Sequence, residues 1–508
     1  MTKKTIVLTG FIALKFVLHY AMLNPDYELH RDEFLYLDQA NHLAWGYLSV
    51  PPFTSWISSI VQFLGNSVFW IKFFPALFGA LTLVVVWKAI EELKGNLFAL
   101  ILGATCVLFS AILKLNFLYQ PNSFDVLAWT ALYFVLIKYI NTEKSIWLYI
   151  GALVFAIGFL NKYNILFLIL GLFPALLLFG PRKMFLKKEF YLSILLVLLL
   201  ILPNLVWQYQ NNLPVVHHLK ELTERQLVHN NRWDFLVSQI FDFVGSFFVI
   251  IAGLYALLFY PPIKKYKFFL ATMVFTLLIF VYFRAKGYYG IGLHPIYVAF
   301  GSVFVAHLLS KGWKLYLRPV AILIPVGFFL LLFNVFFSNK SPDYILENAE
   351  RFKRLGQLRW EDGEDHSLPQ DYADMLGWKE LARKIDSICE GIPDLESTLI
   401  LCDNYGEAGA INYYTTNPKI KAVSFSADYV NWFDLRKPIQ TFIRVKEQED
   451  RKEEFDKTKP YFESGYMADS ISNPLAREYG TTIFVFKGPK IDVVKRIRQE
   501  IGEVKGSE

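Results

Sequence analysis

His30–Pro52 reads HRDEFLYLDQANHLAWGYLSVPP. It follows an apolar run at 5–23 and opens on two adjacent carboxylates, Asp32 and Glu33. Acids beside a membrane span are costly to keep near lipid, so they mark a functional site unless a plainer account serves. The plainer account is an exposed loop that carries charge because loops do. Taken alone, the segment leaves both open. The run continues as a helix-like stretch with Tyr and Trp and stops at Pro51-Pro52, whose nitrogens have no proton to donate to a helix.

The rest of the chain supplies the context. Of its 508 residues, 54% are hydrophobic, 17% aromatic and only 19% charged. That apolar content is too high for one soluble core and lies in long runs, which predicts a polytopic α-helical membrane protein. Eleven runs are long enough, or nearly so, to cross about 30 Å of hydrocarbon. They lie at roughly 5–23, 73–91, 97–115, 123–140, 146–161, 163–179, 190–207, 238–260, 267–284, 288–309 and 319–337. The fifth and sixth are separated only by Asn161-Lys162-Tyr163. The segment from Phe53 to Leu64 is apolar but too short to span, so it is expected in the membrane interface. The first run lacks a small-residue cleavage pattern and is read as a retained span.

Basic residues set the orientation. Lys3-Lys4, the cluster Arg182 to Lys188, the cluster Lys264 to Lys267, and Lys311 with Lys314 and Arg318 all fall on the side of the N-terminus if there are eleven crossings. The positive-inside rule then places the N-terminus in the cytoplasm and both the Asp32 loop and the C-terminal region outside. The net charge of +6 is absorbed by these loops, and nothing calls for a nucleic-acid partner. The expected organisation is a transmembrane domain at 1–337, with its first outer loop at 24–72, and an extracytoplasmic α/β domain at 338–508. In that domain 397–404, 421–425 and 480–488 read as strands and 406–414 as a turn and helix. Cys389 and Cys402 could pair there, but spacing cannot show it; Cys106 reads as core.

With this topology, unusual polar residues gather at one membrane face. They are Asp32 and Glu33, then Asn116, Gln120, Asn122 and Asp125, then Asn161, Lys162 and Tyr163. The loop 208–237 adds His217, His218, Arg225, His229 and Arg232, and the junction near 284–294 adds Arg284, Lys286, Tyr288, Tyr289 and His294. Snorkelling explains a Lys or Tyr at a helix end. It explains less well Asp125, which sits inside an apolar run. The chemistry suggested is transfer from a lipid-borne donor: cations and tyrosine hydroxyls suit a phosphate, and a carboxylate can take a proton from an acceptor. No phosphate-binding loop of soluble nucleotide enzymes appears.

The chain resembles bacterial lipid-dependent glycosyltransferases of the GT-C type, which include the protein O-mannosyltransferase family and the lipid A aminoarabinose transferases. The resemblance rests on RDEFLYLDQANHLAWGYLSVPPF, NSFDVLAWTALYF, GFLNKYNILF, AKGYYGIGLHPIYVAFGS and DNYGEAGAINYY, which occur in the family's order. It implies an inverting transfer from a polyprenyl-phosphate-linked sugar to an extracytoplasmic acceptor, whether lipid, glycan or protein. It implies that Asp32 is the catalytic base with Glu33 beside it, and that Asp125 is a second acid. It further implies that Lys286, Tyr288 and Tyr289 lie near the donor phosphate and that Lys162 matches a lysine element of the relatives; on topology alone, Arg284 is read with the same phosphate group, and Asn122 and His294 as supporting residues. Two departures leave the sugar open. Val50 stands where relatives often carry Lys or His before the Pro-Pro, and Leu35 stands where aminoarabinose transferases carry an arginine.

A transporter or lipid flippase is the alternative, with the Asn161-Lys162 break as the feature it would use. A non-catalytic assembly protein would leave the acids unexplained. Asp38 and His42 are one helical turn apart and suit a metal, an orienting role for the base, or a plain local contact; His217, His218 and His229 are candidate metal ligands in a loop without tight spacing. The sequence names no cofactor and leaves a divalent metal open. The implied setting is a multi-pass protein of the cytoplasmic membrane, in contact with membrane lipids.

Overall fold

The computed structural model describes residues 2–225 and 227–507; the side chains of Arg225, His229 and Ser507 lie outside what is described. The chain folds as two compact units. One comprises Met1–Leu23, Val50–Thr54 and Phe69–Phe337; the other comprises Asn24–Ser49, Ser55–Val68 and Ser338–Glu508. Residues 24–49 and 55–68 therefore fold with the C-terminal region, whereas the division drawn from the sequence keeps them with the apolar part. The reason lies in their side chains: Phe34, Leu35 and Leu37 are fully buried, and Phe34 packs against Trp378, Tyr413 and Tyr414.

The first unit is helical. Among the described residues, six helices are long and apolar enough to cross a membrane, and four shorter apolar helices (Leu97–Leu108, Ile146–Asn161, Ile165–Phe179 and Phe268–Tyr282) accompany them. Two expected spans depart from single rods. The run 238–260 is a bent pair, Arg232–Phe241 and Val244–Phe259, which meet at 65°. Gly245 lies in the bend, where a Cβ would come within 2.8 Å of Pro325 Cα, so the turn is packed too closely for a side chain. The run 97–115 breaks at Ser110, which caps a new short helix, Ala111–Leu115, by accepting the Ile112 amide. Elsewhere the helices approach through small residues, as is usual where lipid removes the hydrophobic drive. Phe247–Phe259 and His294–Leu308 touch backbone to backbone, since a Cβ on Gly301 would overlap the Val249 carbonyl oxygen.

The second unit contains a five-stranded sheet of order β2-β1-β3-β5-β4, with β1 at Thr398–Cys402, β2 at Ala422–Ser424, β3 at Thr441–Lys446, β4 at Phe462–Ser470 and β5 at Thr482–Pro489. β1 is parallel to β2 and β3, while β3, β5 and β4 are antiparallel neighbours. Side chains alternate across the sheet. Leu399, Leu401, Phe442, Phe484 and Phe486 form one core with Val493 and Ile497 of the last helix. Ile400, Ile443, Val445, Ile483 and Val485 are buried on the opposite face. β1, β2 and β5 occupy the stretches expected from sequence; β3 and β4 are additional. Cys106, Cys389 and Cys402 are buried and free.

Candidate functional site

Within the helical unit, three distant stretches meet around Asp125. This residue lies in the first turn of Asn122–Thr142 and is 5% exposed. Its Oδ1 accepts from Trp129 Nε1 at 3.0 Å, one turn along the helix, and its Oδ2 accepts from Asn164 Nδ2 at 2.8 Å. Asn164 also reaches the Tyr289 carbonyl at 3.3 Å. Both carboxylate oxygens are thus held, as a buried acid requires. The break between Ile146–Asn161 and Ile165–Phe179 supplies the cation. Lys162 donates to Asn122 Oδ1 at 2.7 Å and lies 5.3 Å and 4.6 Å from the ring centroids of Tyr288 and Tyr289. The charges of Asp125 and Lys286 both act on Lys162. A cation over two aromatic faces is favourable when little water reaches it. The break itself is fixed by Asn161, which donates to the Pro121 carbonyl at 2.9 Å.

Asn122, Asp125, Lys162, Lys286, Tyr288 and Tyr289 therefore belong to one neighbourhood. Two expected members turn elsewhere. Arg284 has a left-handed backbone and donates to the Val228 carbonyl at 2.8 Å, pinning the 227–231 loop. His294 is buried against Phe243, with Nε2 3.1 Å from Gln239 Oε1.

Within the second unit, Arg31–Asp38 is a helix whose start fixes the acids. His30 is the N-cap: its Nδ1 accepts the Asp32 amide at 3.2 Å, and Glu33 Oε2 accepts the His30 amide at 2.8 Å. Glu33 is fully buried in this reciprocal cap. Asp32 instead keeps 30% of its side chain exposed, and its Oδ1 accepts from Tyr405 Oη at 2.6 Å. Around them, the Arg31 guanidinium carbon stands 4.8 Å from the Tyr405 ring centroid. Asp374 takes Arg477 Nη1 on both oxygens at 3.1 and 3.3 Å. Burial pushes the Asp374 carboxyl above its ordinary value, against the pull of His30, Arg477 and Arg31.

Asp38 accepts from Asn41 at 2.9 Å and from Asn412 at 2.7 Å, while His42 stacks on Trp432 with centroids 4.2 Å apart. This pair is engaged in packing. Among the described residues, no group of three or more His, Cys, Asp or Glu side chains is placed to hold a metal ion.

The sequence reading missed Trp129, Asn164, Tyr405 and Arg31. Trp129 looks like ordinary core, Asn164 like part of a helix break, and Tyr405 like a residue in a turn. All four fall within the stretches quoted above for the family resemblance, the signal that could have drawn attention to them.

Residues 49–207 match the family described as Dolichyl-phosphate-mannose-protein mannosyltransferase. Lipid A galacturonosyltransferase RgtD of Rhizobium johnstonii is 26% identical over 226 residues, which are 43% of this chain and 46% of that protein's length. ArnT from Cupriavidus metallidurans, solved both bound to undecaprenyl phosphate and in the apo state, superposes with a TM-score of 0.61 at 12% identity. That match covers 97% of this chain and 99% of ArnT, and it shows a shared fold over both units.

Proposed function

We propose that this chain, a multi-pass membrane protein that belongs with the GT-C glycosyltransferases, moves a sugar from a polyprenyl-phosphate carrier to an acceptor outside the cytoplasmic membrane. The observation that carries this reading is the neighbourhood of Asp125, Lys162 and the Tyr288-Tyr289 pair, built from three separate stretches. Lys162 and Lys286 supply positive charge and the tyrosines supply hydroxyls, the groups that a phosphate monoester or diester needs. Asp125 balances Lys162 and holds Asn164. ArnT's undecaprenyl phosphate supports a polyprenyl carrier, and RgtD's name supports a lipid A-like acceptor over a glycan or protein.

In the proposed reaction an acceptor hydroxyl or amine attacks the anomeric carbon opposite the phosphate. The bond from that carbon to the phosphate oxygen breaks, polyprenyl phosphate leaves, and the acceptor's proton passes to Asp32. The configuration inverts in this single displacement. Glu33 orients Asp32 by capping its helix. Orientation follows the basic clusters: eleven crossings, the N-terminus in the cytoplasm and residues 338–508 outside.

The test is direct. The purified protein, given a polyprenyl-phosphate α- or β-linked sugar and a lipid A acceptor, should yield a product of opposite anomeric configuration. Retention of configuration, or sugar-lipid movement across vesicles without transfer, would contradict the reading.

A further inference from the structure

The role given to Asp32 leaves unexplained why the helix Tyr405–Tyr414 presses so closely on the helix that bears it. Two glycines make the approach. A Cβ on Gly409 would lie 2.6 Å from Phe34 Cβ, and one on Gly406 would lie 3.1 Å from Arg31 Cβ. Side chains there would part the helices and draw Tyr405 away from Asp32. As folded, the hydroxyl–carboxylate contact of 2.6 Å is in the short, charge-assisted range. Arg31 covers the face of the tyrosine ring. Burial disfavours the Arg31 charge, but Asp374, Glu478 and Asp32 hold it in place. Burial and then the charge of Asp32 keep the Tyr405 hydroxyl well above its ordinary value, so it remains a donor at any working pH.

We infer that Tyr405 is a positioning residue for Asp32: it fixes the carboxylate in one orientation. The C-terminal region then takes part in the reaction. This rests on the reading of Asp32 as the base. A hydrogen bond donated to the charged form favours that form, so the bond gives up some basicity and in return keeps an aligned acceptor for the incoming proton. Among the described residues, the charged and titratable groups seen to face Asp32 include His30 and Arg31 from its own helix start, Asp374 from the loop before Trp378, and Tyr405. Arg477 and Glu478 stand behind Asp374 and Arg31.

The experiment measures transfer from a polyprenyl-phosphate sugar against pH, with full-length protein carrying Tyr405→Phe or Asp32→Asn. Tyr405→Phe should lower kcat by at least about tenfold with the donor KM unchanged. Its acid limb should move to higher pH. Fluorinated tyrosine at position 405, a stronger donor that keeps the ring, should move the acid limb the other way. A purely space-filling role would produce neither shift, and the fluorinated protein carries the test if Tyr405→Phe folds poorly. The inference is overturned if Asp32→Asn is inactive while both Tyr405 changes leave kcat and the acid limb as in the parent. It also falls if Asp32→Asn stays active, because the base itself is then misassigned.

Discussion

Single residues in this protein show how burial sorts acids that look alike in sequence. Asp32 and Glu33 are neighbours, yet Glu33 is sealed into a helix cap and Asp32 keeps part of its surface in solvent. Position in the first turn decides this, because only the third residue after the N-cap can reach back to the N-cap amide. The cap was not legible beforehand, since the N-cap is a histidine and not the usual Ser, Thr, Asp or Asn. The cations behave in the same way. Lys162 is committed to Asn122 and two tyrosine rings, and Lys286 acts on it by charge. A lysine–phosphate contact is worth roughly 1.5–3 kcal/mol. Lys286→Ala should therefore weaken apparent donor affinity by at least about tenfold while leaving the acceptor curve unchanged. Titrations of each substrate against transfer rate check this. An unchanged donor curve with a shifted acceptor curve would move Lys286 to the acceptor side.

Among the elements, the helix Tyr405–Tyr414 is tightly constrained at its start. Asn404 caps it, and Glu407 returns the favour by accepting the Asn404 and Asp403 amides at 3.3 and 2.9 Å. The glycine-rich start is thus a plain helix cap, with the helix's own carboxylate on its free amides. Glu407 is fully buried, and burial together with Glu478, Asp403 and Glu447 pushes its carboxyl well above the usual range. The folded protein then holds this proton more tightly than the unfolded chain. Stability is lost as pH rises from about 4.3, the ordinary glutamate value, through the raised folded value. Glu407→Gln keeps an oxygen for the cap and cannot ionise. It should raise the unfolding temperature of the C-terminal region at neutral pH and make no difference below about pH 4. Thermal unfolding followed at both pH values checks it, and equal unfolding temperatures at neutral pH would show that the charge is compensated. The strands show which elements a sequence conceals. β1 and β5 are continuous apolar runs and were legible. β3 carries Arg444 and Lys446, which look like loop charges but are paired with Asp403. β4 is an edge strand, mostly in solvent, whose Gly, Asp and Ser hide its pairing with β5.

For the molecule as a whole, the apolar runs were legible because crossing hydrocarbon needs length and little else. Bends were not: at the break at 242–243, Gly245 packs closely on Pro325, a contact between distant positions. Nor was the partition of the first loop, whose apolar residues find their partners more than 300 positions away in Trp378, Tyr413 and Tyr414. The gathering of Asp125, Lys162, Tyr288 and Tyr289 was anticipated from topology, whereas Trp129 and Asn164, which hold Asp125, were not. Donor handling is proposed for Lys162, Lys286, Tyr288 and Tyr289 and proton removal for Asp32, so the two should be separable by substitution. Asp32→Asn keeps the size of the side chain and cannot accept the acceptor's proton. General-base action supplies about 10² to 10⁴ in rate. The deciding measurement is transfer of labelled sugar from a purified polyprenyl-phosphate donor, with donor binding followed in parallel. The account predicts a loss of turnover in that range with donor binding intact, and near-normal turnover in Asp32→Asn would contradict it.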